Sequence, residues 1–104
     1  MTSITIRECG GRWRLDAAGH ATGSREVCAA VSAIVYALGG RLLELEEAGR
    51  ARVTALRLES GEAEIEAEGE GARDAFAVAG TGFSQLAERY PEYIRKNDER
   101  RSTP

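Results

Sequence analysis

A chain of 104 residues, 42% apolar and 30% charged, has the size and composition of one compact globular domain, so one core and no second domain are expected. Its formal net charge of -3 at pH 7 argues against nucleic acid as the main partner, because phosphate binding depends on a clustered excess of Lys and Arg. One histidine and two cysteines, with no Cys-x-x-Cys or His-x-His pair, do not make a zinc site, and neither metal nor cofactor is expected.

From Thr2 to Ala18 the pattern has period two. Ile4 and Ile6 alternate with Thr5 and Arg7, then Trp13, Leu15 and Ala17 alternate with Arg12, Arg14 and Asp16, which is the signature of half-buried strands. Gly10-Gly11 between them reads as a hairpin turn. The start of the chain lacks the apolar block of a signal peptide. No uninterrupted apolar stretch reaches the roughly 18 to 20 residues that cross a bilayer. A soluble cytoplasmic protein with no membrane partner is therefore expected, and in that compartment Cys9 and Cys28 stay reduced.

The period then changes: Val27, Val31, Ile34, Val35, Leu38, Leu42 and Leu45 are spaced as the buried stripe of one helix. Ser24 or Thr22 is the expected N-cap, since a side-chain oxygen there accepts from an N–H of the first turn. Gly39-Gly40 interrupts the stripe at a cost of about 1 kcal/mol per glycine relative to alanine, which predicts a kink or a close backbone contact. Arg52 to Glu59 and Glu62 to Glu68 form a second strand pair around Ser60-Gly61, with Ala63, Ile65 and Ala67 inward. Glu62, Glu64, Glu66 and Glu68 then point outward, where they meet Arg12 and Arg14 across the sheet or attract a basic substrate segment. A last helix runs from about Ala72 to Tyr90 and is closed by Pro91. Residues 95–104 read as a flexible tail in which Arg95, Lys96, Arg100 and Arg101 are interleaved with Asp98 and Glu99, too mixed for a nucleic-acid arm. The order is ββαββα: an α+β two-layer sandwich, a four-stranded sheet with two helices on one face.

Chemistry concentrates between Gly19 and Ser32, where a strand end meets a helix start. Cysteine is a nucleophile as thiolate, and the N–H groups and macrodipole of a helix N-terminus favour that anion. Cys28 sits in the first turn. His20 precedes it by eight residues, across a short loop containing Gly23 that can fold back and bring an imidazole to the sulfur as general base. The same N–H groups can donate to a developing oxyanion. Plain structural roles also fit: Cys28 as a small buried hydrophobe of an alanine-rich helix, His20 as a surface residue. Ser32, one turn beyond Cys28 on the same face, either supports the site or bonds back to the Cys28 carbonyl. Cys9, beside the Gly10-Gly11 turn, has no basic partner and reads as structural.

At Gly19-His20-Ala21 and Val27-Cys28-Ala29-Ala30-Val31-Ser32 the sequence resembles the ribosomal-processing cysteine protease family, Prp, and the likeness extends over almost the whole chain into Tyr90-Pro91-Glu92-Tyr93. The resemblance implies one protease domain over residues 1–94. It implies a cysteine endopeptidase that removes the N-terminal extension of a large-subunit ribosomal protein by cutting beside paired phenylalanines, and it implies a homodimer. Carried over, Cys28 is nucleophile, His20 base and Ser32 a supporting residue, while Gly19, Ala21 and Gly23 border the bound peptide. The segment from Thr22 to Glu26 is several residues shorter than the family's usual connection, and Arg25 stands where an aspartate is common. A shorter loop is expected to cover less of the peptide and to move when substrate binds, and a phage-borne relative that processes a capsid or scaffold protein is an alternative within the family. A dimeric binding module without catalysis is the competing reading.

Overall fold

The computed structural model describes residues 1–19 and 24–101. Two hairpins are built as their alternation predicts: β1 (Thr2–Cys9) with β2 (Arg12–Ala18), and β3 (Arg52–Glu59) with β4 (Glu62–Glu68). Gly10 and Gly11 both take positive φ (60° and 83°), a conformation that a tight hairpin turn demands and that glycine reaches without strain. Helix α1 (Arg25–Glu47) leads from β2 to β3, and α2 (Glu70–Arg89) follows β4.

The sheet has five strands, in the order β3-β4-β2-β1-β5, which corrects the expected four. The fifth, β5 (Ile94–Arg101), begins one residue before the stretch expected to be a flexible tail, takes up most of it, and extends the order to ββαββαβ. It runs parallel to β1, with Ile4 opposite Lys96 and Ile6 opposite Asp98. The Thr2 N–H donates to the Tyr93 carbonyl at 2.9 Å where the pairing begins. Local sequence conceals this strand because Ile94 is its one apolar residue. Charges are tolerated on an edge strand, where the backbone ladder to one neighbour supplies the pairing. Lys96 faces the helices, and its ammonium reaches the Asp98 carboxylate at 2.7 Å.

Sheet and helices enclose one core. Ile4, Ile6, Trp13, Leu15, Ala17, Ala63, Ile65 and Ala67 line the inner face of the sheet, against Val27, Val31, Val35, Leu38, Leu42 and Leu45 of α1 and Ala72, Phe76, Ala79 and Phe83 of α2. Trp13 stacks on Phe76 with centroids 6.1 Å apart. Helix α1 runs without a break through Gly39-Gly40. Gly39 is a point of close contact: a Cβ there would lie 3.3 Å from the Leu56 side chain. By length and composition α1 is long and apolar enough to cross a bilayer, which corrects the expectation drawn from uninterrupted runs alone. In this fold it is the helix whose stripe packs on the sheet.

Strand β3 owes its pairing to a bulge. Val53 pairs with Ala67, but Ala55 pairs with Glu66 and Leu56 with Ile65, so Thr54 is the extra residue. A regular strand would turn Leu56 and Leu58 away from the face that Val53 occupies. With the bulge, Val53 and Leu58 both pack against the core. On the outer face the glutamates of β4 do pair with arginines: Arg14 with Glu64 and Glu66, Arg12 with Glu68, and Arg57 with Glu64.

Candidate active site

Ser24 is the N-cap of α1, and its hydroxyl accepts from the Val27 N–H at 3.2 Å. Cys28 follows as the fourth helical residue, with its own N–H donating to the Ser24 carbonyl at 3.3 Å. The N–H groups of Arg25 and Glu26 belong to the first turn and have no acceptor within the helix. Because every Cα–Cβ bond of a helix tilts toward the N-terminus, the Cys28 side chain is carried back toward that turn. Cys28 is half-buried, packs against the core and also opens into a groove. The two readings of this cysteine, small hydrophobe and accessible thiol, therefore both describe it.

The groove has a volume of about 350 Å³, within the range that binds small ligands and short peptide segments. One wall is the face of α1 carrying Cys28, Val31, Ser32, Val35 and Tyr36. The β3–β4 turn, from Leu58 to Ala63, forms the other, and Thr2, Ala17, Ala18 and Gly19 close the end. The Gly19 N–H donates to the Gly61 carbonyl at 2.9 Å, fastening the end of β2 to the turn. Gly19 has φ +91°, and a Cβ there would collide with the Met1 carbonyl oxygen. No other residue fits that corner without moving the backbone.

Charge is arranged on the turn side. The Arg57 guanidinium meets Glu59 at 3.1 Å, Glu62 at 2.6 Å and Glu64 at 3.0 Å, and Glu59 and Glu62 line the groove. Its hydrogen bonds to Glu64 and Glu62 raise Arg57 above the usual arginine value. The Arg57 hydrogen bond in turn holds the Glu64 carboxyl below the usual carboxylate range. Glu66 is lowered as well, first by the Thr54 hydroxyl at 2.7 Å and then by Arg14. Among the described residues no cluster of His, Cys, Asp and Glu could hold a metal ion.

Of the expected site residues, the structure brings Cys28, Ser32 and Gly19 to one groove. His20, Ala21 and Gly23, together with Thr22, lie outside the described residues. Cys9, expected to be structural, is exposed. It ends β1, whereas Thr2 at the start of that strand lines the groove, so the two cysteines belong to opposite ends of the sheet. Sequence reasoning missed Tyr36 and the β3–β4 turn as groove walls. Tyr36 carried a signal, because Cys28, Ser32 and Tyr36 follow one another at intervals of four on one helical face. The turn carried none, since only the sheet order carries Gly61 to Gly19.

A helix-borne thiol facing a groove, on a two-layer ββαββαβ frame, defines the class of architecture. This fold is shared along nearly the full length by the ribosomal processing protease Prp from S. aureus in complex with a covalently linked product peptide (TM-score 0.76, 20% identity, 95% of this chain and 100% of that one). Prp from S. aureus in complex with a substrate peptide is similar over the same share of both chains, 95% and 100% (TM-score 0.71, 19% identity). A Streptococcus mutans protein matches at TM-score 0.72 with 23% identity, over 97% of this chain and 99% of its own. Neither a family profile nor a curated protein sequence matches the chain.

Proposed function

We propose that this protein is a cysteine endopeptidase of the Prp kind, which removes the N-terminal extension of a large-subunit ribosomal protein precursor by cutting beside phenylalanine. The observation that carries the reading is Cys28 in the first turn of α1, opening into a groove on a fold shared with a protease solved with peptides bound. His20 is joined directly to Gly19, which lines that groove, and this supports it as the base.

In the proposed reaction His20 takes the thiol proton, and the sulfur attacks the scissile carbonyl carbon. Negative charge moves onto the carbonyl oxygen, where first-turn N–H groups of α1 can donate to it. As the C–N bond breaks, His20 returns the proton to the leaving amine, and the N-terminal part of the substrate remains as a thioester on Cys28. Water, deprotonated by His20, then attacks the thioester and releases a carboxylate and the thiolate. Ser32, one turn along, supports the site, while Gly19, Ala21 and Gly23 border the peptide.

Mass spectrometry of a phenylalanine-containing ribosomal precursor, incubated with wild type and with Cys28→Ala, tests the reading. A single cut made by wild type alone is the expected result. An intact precursor in both reactions would refute the ribosomal assignment, and cutting by both would refute the nucleophile.

A further inference from the structure

Tyr36 is 61% exposed, yet it lines the groove that Cys28 opens into. The other large apolar or aromatic side chains left exposed among the described residues, Met1, Leu43, Leu56 and Val78, lie outside that groove. Tyrosine offers a wide, rigid contact surface at low entropic cost, and an exposed one beside a cleft is a ready anchor for an apolar partner. Its neighbours along this wall are Val31 and Val35, and Leu58 stands opposite.

Position along the helix adds a distance. Cys28 and Tyr36 are eight residues apart on α1, which at 1.5 Å per residue is about 12 Å. An extended peptide advances about 3.3 Å per residue. A peptide laid along α1 with its scissile carbonyl at Cys28 would bring its third or fourth residue from the cut to Tyr36, passing Ser32 on the way.

Resting on the peptidase reading, we infer that Tyr36 is a specificity-determining residue: with Val35 and Leu58 it forms a subsite for an aliphatic or aromatic side chain three to four residues from the scissile bond. This subsite is separate from the one beside the cut. It acts on the grip of the peptide, and the bond chemistry stays with Cys28.

The test pairs protein and peptide changes. Synthetic peptides spanning the cut, with leucine or serine at the third and fourth positions on either side, are titrated against Cys28→Ala protein and, in parallel, cleaved by the Cys28 enzyme. Each measurement is repeated with Tyr36→Ala and Tyr36→Phe. Tyr36→Ala is expected to weaken binding and raise KM roughly fivefold to twentyfold, with kcat within about twofold. Serine for leucine at the matching position should cost the same in wild type and nothing further in Tyr36→Ala, whereas Tyr36→Phe should keep the preference. Thermal unfolding should be unchanged, since Tyr36 is exposed. Cleavage with additive, uncoupled effects at every position would overturn the subsite and leave the peptidase reading intact. Coupled binding without cleavage would keep the subsite and overturn the peptidase. Absence of binding by all the peptides would overturn both.

Discussion

Cys28 sits where a helix begins and Cys9 where a hairpin turns, so one protein holds both a test thiol and its control. The first-turn N–H groups of α1 favour an anion beside Cys28, and nothing comparable flanks Cys9. Brief iodoacetamide treatment near neutral pH, followed by peptide mapping, should label Cys28 faster although Cys9 is the more exposed of the two. Equal labelling would remove the physical argument for a nucleophile. Cys28→Ser should keep the fold and lower turnover by roughly three orders of magnitude or more, because a hydroxyl is a poor nucleophile in the same place. At Gly19 the constraint is backbone: positive φ and the Met1 carbonyl leave no space for a side chain. Gly19→Ala should cost roughly 1–3 kcal/mol, read by thermal unfolding, and should also loosen the groove end that Gly19 fastens to Gly61.

Strand β5 raises the question of what holds a segment whose sequence reads as tail. It is tied by a ladder to β1 and by Ile94, which is 2% exposed. Ile94→Ala should therefore destabilise the protein by roughly 2–5 kcal/mol, the range for a buried aliphatic truncated to a methyl. Denaturant unfolding measures it, and an unchanged midpoint would mean that the strand is dispensable. Helix α1 is an element with two faces. Its buried stripe was legible from spacing alone, whereas the groove-lining face of Cys28, Ser32 and Tyr36 acquires meaning only when the β3–β4 turn stands opposite it.

The outer face of the sheet makes stability depend on pH. Glu64 and Glu66 have folded carboxyls below the usual value of 4.5, held there by Arg57, Thr54 and Arg14. A carboxyl lowered on folding stabilises above its unfolded value and loses that contribution as pH falls through the folded one. Arg57 and Arg14 are raised above the usual arginine value, so their contribution is fully present at neutral and acid pH. Stability should be level from about pH 6 to 8 with respect to these groups and decline below about pH 4.5. Calorimetry from pH 3 to 8 should show a shallower acid decline in a Glu64→Gln, Glu66→Gln double variant. Salt should narrow the difference by screening these exposed pairs. An identical acid slope in both proteins would mean that the network does not stabilise the fold.

Period determined most of this molecule. The alternation of Ile4 to Ala17 and of Ala63 to Ala67, the helical stripe from Val27 to Leu45, and the turn glycines follow from how far apart side chains fall on a strand or a helix. They were readable without knowing what lay across from them. The Cys28 motif belonged to the same category, because a capped helix start after a strand is a local arrangement. Three features were decided by tertiary structure. The charged strand Ile94–Arg101 exists because β1 offers it an open backbone edge. The Thr54 bulge exists because Val53, Leu56 and Leu58 must meet one row of β4. The groove exists because the sheet order sets Gly61 beside Gly19, beneath the start of α1. Each depends on a partner distant in sequence, and hydrogen bonding or burial against such a partner leaves no trace in the local pattern of residues.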